Sequence, residues 1–225
     1  MGNYLSYFFY IGWNWSFSLA FFIIRHEIKG EKKYGVNTIG IDDLHTSVGE
    51  DDREHASIYQ PVNYYTAEQL FDQLSTEDVN GGFLDIGCGR GRVLAIAAAY
   101  GFTKITGIDF SPKLCHEAIQ LCDDIEARYP KASIVIDCAD AREFLIPKNV
   151  TVLFLFNPFD KLVMVDFIKQ VMKTVKENPR NIKVLYANPQ CKKEWLEAGF
   201  EETFYFQKMK LLEGSILEYN KKLKK

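Results

Sequence analysis

The chain has no C-x-x-C pair, and its five cysteines, Cys88, Cys115, Cys122, Cys138 and Cys191, are odd in number and scattered. That excludes a zinc-ribbon ligand set and a paired disulfide framework, and it points to reduced thiols of a cytoplasmic protein. Histidine is equally sparse: His26, His45, His55 and His116 stand apart, none at metal-ligand spacing from a cysteine, so no metal site is expected. An excess of one charge is missing too. With 27 Lys and Arg against 30 Asp and Glu, the formal charge of -3 gives no general attraction to nucleic acid. The one basic run, Lys221, Lys222, Lys224 and Lys225, reads as a solvated terminus.

Charge is wholly absent from Met1 to Ile24, which carries Tyr4, Tyr7, Phe8, Phe9, Tyr10, Trp13, Trp15, Phe17, Phe21 and Phe22. A bilayer span needs about 20 apolar residues, so the length suffices. Yet Asn3, Ser6, Asn14, Ser16 and Ser18 dilute the stretch, and it lacks the basic start and small-residue cleavage site of a secretory signal. Two readings stay open: a helix packed on the protein's own surface or on a partner, and a membrane contact through residues 1–24. If the stretch inserts, Arg25, Lys29, Lys32 and Lys33 behind it keep the remainder cytoplasmic and send the N-terminus across the bilayer.

What is present fits one globular domain with decoration: 225 residues, 47% of them hydrophobic and 25% charged. Residues 1–57 read as an aromatic helix and a surface arm. The arm is Arg25 to Asp52, polar and punctuated by Gly30, Gly35, Gly40 and Gly49. Residues 58–225 read as the main domain. It opens on Ile58 to Tyr65 and a helix whose expected N-cap is Thr66, because apolar residues recur at helical spacing from Glu68 to Leu74.

The domain is organised around Phe83 to Asp109: an apolar strand, a glycine turn, an Ala-rich helix starting near Arg92, and a second strand closed by a carboxylate. Gly87, Gly89 and Gly91 let backbone approach a ligand, and the helix aims its unpaired N–H groups at it. The dinucleotide fingerprint G-x-G-x-x-G requires a small residue where this chain has Arg92. Asp85 with Gly87-Cys88-Gly89-Arg90-Gly91 instead forms D-x-G-x-G-x-G, which resembles the first motif of class I S-adenosylmethionine-dependent methyltransferases. Their cofactor is a cation without pyrophosphate. A carboxylate beside the turn suits it and would repel a dinucleotide phosphate. Cys88 fills the turn as a small residue and brings no chemistry of its own.

Further motifs follow the same resemblance. Asp109 ends the second strand about 20 residues past the turn, where a carboxylate can accept from two ribose hydroxyls. Phe110 and Ser111-Pro112 stand behind it, opening a helix. Ala139-Asp140-Ala141 resembles the third motif, which implies that Asp140 and the Ala141 N–H contact adenine; a helix N-cap is the competing role for Asp140. The run Thr151 to Phe156 ends in Asn157-Pro158-Phe159-Asp160, resembling the fourth motif of amine- and amide-directed members, with one proline fewer. The resemblance implies that Asn157 and the Pro158 carbonyl orient an acceptor N–H while Phe159 packs against it. Asn157 is also counted among the cofactor contacts. Tyr59, Tyr64 and Tyr65, just before the first strand, are expected to line the site, with plain aromatic packing as the alternative.

Strands at Ser133 to Ile136 and Ile182 to Ala187, a helix at Phe167 to Val175, a short helix and turn at Trp195 to Phe200, and alternating runs Glu202 to Lys210 and Ser215 to Tyr219 joined around Glu213-Gly214 complete the pattern. The expected fold is α/β, doubly wound and Rossmann-like: a mostly parallel seven-stranded sheet with a C-terminal antiparallel hairpin and helices on both faces. The implied activity is methyl transfer from S-adenosylmethionine, to nitrogen on a protein side chain such as lysine. The alternatives are a small-molecule N- or O-methyltransferase and a non-catalytic, anchored scaffold that binds the cofactor.

Overall fold

A computed structural model describes residues 2–38 and 60–220, with only the backbone of Gly2 and Asn3. Tyr59, His45, His55 and the tail lysines lie outside the described residues. Seven strands form one sheet: β1 (Gly82–Ile86), β2 (Lys104–Asp109), β3 (Ser133–Cys138), β4 (Val150–Phe156), β5 (Ile182–Ala187), β6 (Glu201–Lys208) and β7 (Leu212–Tyr219). The order is β3-β2-β1-β4-β5-β7-β6. β1 to β5 pair in parallel, while β7 runs antiparallel to both β5 and β6, as the alternation of strands and helices implies.

The helices are α1 (Gly2–Asn14), α2 (Phe17–Tyr34), α3 (Tyr64–Phe71), α4 (Arg92–Tyr100), α5 (Pro112–Arg128), α6 (Lys161–Glu177) and α7 (Lys192–Glu197). Each sheet face carries its own core. Phe83, Phe154 and Leu185 pack with α3 and α4 on one side; Leu84, Leu153 and Val184 pack with Phe167 of α6 and Trp195 of α7 on the other. Strand alternation sends neighbours to opposite faces and both faces are covered, so β1 and β4 are apolar nearly throughout, with Asp85 the charged exception. Sheet order reverses between β1 and β4, so the strand C-termini splay there and leave a crevice.

Three local expectations need correction. The first helix of the main domain is capped by Asn63, whose side chain accepts the Thr66 N–H at 2.8 Å; Thr66 lies inside the helix, buried. Asn is the stronger cap, and helical spacing alone did not separate the two. The C-terminal hairpin turns at Met209 and Lys210, both at left-handed φ of 51° and 63°, while Glu213 and Gly214 pair within β7. Neither Met nor Lys carries a turn signal.

The largest correction concerns the N-terminal arm. Arg25 to Tyr34 is helical, continuing α2 from its Ser16 cap, which accepts the Leu19 N–H at 3.1 Å. Ala20, Ile23, Glu27, Gly30 and Tyr34 are its buried stripe, an i, i+3, i+4 pattern interrupted by one carboxylate. A Cβ on Gly30 would fall 2.2 Å from the Tyr64 ring, so glycine is what lets α2 settle on α3. Tyr34 stacks on Tyr64 with ring centroids 5.6 Å apart. α1 folds back on α2 around Tyr7, Ile11, Leu19, Ala20 and Ile23, against Leu212 of β7. The uncharged stretch is thus divided between two helices, and among the described residues no helix is long and apolar enough to cross a membrane.

Candidate active site

The crevice holds a cavity of about 400 Å³ above the ends of β1, β2 and β4. Its floor is the turn that follows β1. The Gly87 and Cys88 N–H groups both donate to the Ile108 carbonyl at 2.9 Å, and Gly91 donates to Cys88, which ties the turn to β2. Gly87, Gly89 and Gly91 have φ of 75°, 53° and 86°, conformations that side-chained residues rarely adopt. At Gly87 a Cβ would also stand 2.7 Å from Pro158 Cβ. This glycine therefore lets the β1 turn and the β4 loop meet at the switch point.

Asp85, Gly87, Cys88, Asp109, Phe110, Asp140, Ala141, Asn157, Pro158 and Phe159 all line the cavity. Gly89 and Gly91 shape the turn from behind: the Gly89 N–H donates to Asp109 Oδ2 at 2.9 Å. Asp109 Oδ1 accepts from the Ser111 N–H at 2.9 Å. Burial pushes the Asp109 carboxyl up, and those backbone donors pull it back down. Tyr64 does not line the cavity. It is fully buried, with the Arg92 guanidinium 4.2 Å from its ring centroid, because the Asn63 cap turns it inward. Tyr65 packs on Phe22, His26 and Phe206. Gln60, Pro61 and Val62 line the cavity in their place.

Asp140 starts no helix. Its carboxylate takes the Arg142 N–H at 2.7 Å and Nε at 2.8 Å, and the pairing with the guanidinium holds its pKa below the usual range. Arg92 is paired as well, to Glu27 of α2 at 2.8 Å, with further bonds to Thr38 Oγ1 and the Val62 carbonyl at 2.7 Å. Both arginines lining the cavity are thus neutralised by carboxylates, a poor environment for a pyrophosphate.

Asp85 is the opposite case. It is 2% exposed, its Oδ2 has no hydrogen-bond partner, and burial followed by the Asp109 charge pushes its carboxyl well above the usual range. A buried, unpartnered acid lining a cavity calls for a cation. The turn, Asp85 and Asp109 fit a positively charged nucleoside cofactor.

The far wall carries Asn188 and Tyr186 beside Asn157, and sequence reasoning passed over the first two. Asn157 and Asn188 end the adjacent strands β4 and β5, both at left-handed φ of 44° and 49° and both followed by proline. The repeated Asn-Pro at two strand ends was the available signal. Tyr186, fully buried, donates its hydroxyl to Asn157 Oδ1 at 3.2 Å and accepts the Cys191 N–H at 3.2 Å. Burial pushes the Tyr186 hydroxyl up, so it stays a donor and fixes which way the Asn157 amide faces.

Residues 83–178 match a family model described as a methyltransferase domain. No curated protein matches the sequence significantly. Among solved structures, a SAM-dependent methyltransferase from Aquifex aeolicus superposes with a TM-score of 0.54 at 11% identity, over 68% of this chain and 88% of that one. A putative methyltransferase from Escherichia coli gives 0.52 at 14% identity, over 72% and 90%. The ribosomal protein L11 methylase of Lactobacillus delbrueckii subsp. bulgaricus gives 0.50 at 15%, over 72% and 88%. These likenesses show a shared fold. The matched residues hold the glycine turn, the cavity carboxylates Asp85, Asp109 and Asp140, and Asn157, and the match with the shared fold supports a class I S-adenosylmethionine-dependent methyltransferase.

Proposed function

We propose that the acceptor is a nitrogen, carried by a protein side chain such as lysine, and that Asn157 orients it. The supporting observation is the Tyr186–Asn157 bond: it holds a side-chain oxygen at the cavity wall, on a residue kept at left-handed φ by the turn into Pro158. S-adenosylmethionine supplies an electrophilic methyl group when bound. The Asn157 oxygen and the Pro158 carbonyl accept the acceptor's N–H, which leaves its lone pair free to face that methyl. Both acceptors are neutral, so neither competes as a nucleophile. Phe159, edge-on to Phe167 at 6.0 Å, packs beside the incoming group.

Cofactor contacts in this proposal are Asp85, Gly87, Cys88, Asp109, Phe110, Asp140 and Ala141, with Gly89 and Gly91 shaping the turn behind them and Gln60 to Val62 in the covering role first assigned to Tyr59 and Tyr64. The enzyme works in the cytoplasm in this proposal, which its five free cysteines support. A contact of residues 1–24 with a membrane belongs to the same reading.

Asn157→Ala tests the acceptor role. It should leave cofactor affinity within about twofold and lower turnover by at least tenfold, about 1.4 kcal/mol of transition-state stabilisation. Turnover is read as labelled methyl passing from cofactor into lysate, counted separately in protein and small molecules. Label in the small-molecule fraction alone would replace the protein acceptor with a metabolite. Wild-type turnover by the variant would remove the amine-orienting role.

A further inference from the structure

The α1–α2 hairpin buries one side of its aromatic surface and leaves the other bare. Trp13 is 82% and Phe21 67% exposed, and Phe9, Trp15, Phe17 and Ile28 are exposed beside them. The tip is fixed in shape: Tyr10 meets Trp15 edge-on at 5.8 Å and Trp13 meets Phe17 at 6.5 Å. A Cβ on Gly12 would lie 2.5 Å from the Phe17 ring, so that ring seats directly on α1. Contiguous apolar surface of this kind on a soluble fold marks an interaction site.

Charge indicates what covers it. The tip has none. Farther along α2 the exposed charges are Arg25, Lys29, Lys32 and Lys33, all positive, on a protein of net charge -3. The two acids of α2 are spent inside: Glu27 is buried against Arg92, and Glu31 accepts the Tyr4 hydroxyl. Phe17 and Arg25 are eight residues apart, about 12 Å along a helix axis. That matches an apolar tip sunk roughly 5–10 Å below anionic headgroups, with cations at headgroup level. Trp and Tyr are the side chains that favour this depth.

We infer that the α1–α2 hairpin docks tip-first into an anionic lipid surface, with Arg25 and Lys29 on the headgroups. This deepens the membrane contact proposed for residues 1–24 by naming its lipid and its geometry. Because the chain enters and leaves the interface within one hairpin, the start of α1 stays on the same side as the catalytic domain, the reverse of the topology that an inserted span requires. The hairpin's Glu27–Arg92 pair also reaches the cofactor cavity, which holds that cavity near the lipid surface.

Flotation of full-length protein tests this, using vesicles of phosphatidylcholine alone and mixed with phosphatidylglycerol. The protein should float with the mixed vesicles and lose that binding at high salt. W13S/F21S, which changes two exposed side chains, should weaken binding at least about tenfold with an unaltered melting transition. R25E/K29E should abolish the preference for phosphatidylglycerol. An N-terminal tag should stay open to protease outside sealed vesicles. Sedimentation with both vesicle types would overturn membrane contact altogether, and equal flotation with both would overturn the anionic preference alone. A protected tag would overturn the hairpin topology. A dimer in light scattering that W13S/F21S makes monomeric, without flotation, would assign the tip to a second copy and overturn the proposal.

Discussion

Two buried carboxylates, one lining the cavity and one behind the Arg92 that lines it, have opposite fates. Glu27, fully buried on α2, meets Arg92 through two contacts, of 2.9 and 2.8 Å. Burial pushes its carboxyl up and the guanidinium pulls it back down. Asp85, on β1, is almost as buried, and the charge acting on it is another acid, Asp109, which adds to the push. The difference shows how a fold separates structure from function with one residue type. A carboxylate completed within the protein holds two elements together, and one left incomplete waits for a ligand.

Breaking the completed pair should have the largest effect. Glu27→Ala leaves the Arg92 guanidinium buried without its counter-ion, and should cost about 3–5 kcal/mol in chemical denaturation, by loosening α2 from α4. A loss below about 1 kcal/mol would mean that water replaces the carboxylate and the pair is not structural. Removing Asp109 should matter less and in a different measurement. Asp109→Ala should weaken S-adenosylmethionine binding by about 1–3 kcal/mol, the cost of losing charge-assisted bonds to a ligand. Unchanged affinity in a folded variant would take Asp109 out of the site.

The same contrast explains what the sequence could and could not convey. That Asp85, the glycine turn, Asp109 and the Asn157 loop meet at one cavity was legible because backbone demands fix residue type and spacing over a short stretch. β5 was legible to the residue, since a strand buried on both faces allows little but apolar residues. The N-terminal arm was not. Glu27 occupies the position where the α2 stripe calls for an apolar residue, and its partner lies 65 residues away, so a core helix looked like a polar loop. Tyr64 and Tyr65 were misplaced for a related reason: a one-turn shift of the cap, from Thr66 to Asn63, decides whether a tyrosine faces cavity or core. Asp140 answers to Arg142, two residues on, and no motif spacing distinguishes that pairing from a helix cap.

The incomplete member of the pair carries the central claim, that this cavity is built for a cationic cofactor with Asp85 as its counter-charge. In the free protein the Asp85 carboxyl titrates well above its unfolded range, so its neutral form stabilises the fold at low pH and that contribution is lost as pH rises through the folded pKa. A bound cation favours the carboxylate, so between the free and bound pKa values binding must release a proton, and affinity must rise with pH. The direct measurement is calorimetric titration with S-adenosylmethionine in buffers of different ionisation enthalpy, for the wild type and for Asp85→Asn. The account predicts proton release in the wild type, its disappearance in Asp85→Asn together with about tenfold weaker binding, and no heat with NAD. Buffer-independent heats in the wild type, or unchanged affinity in Asp85→Asn, would contradict it.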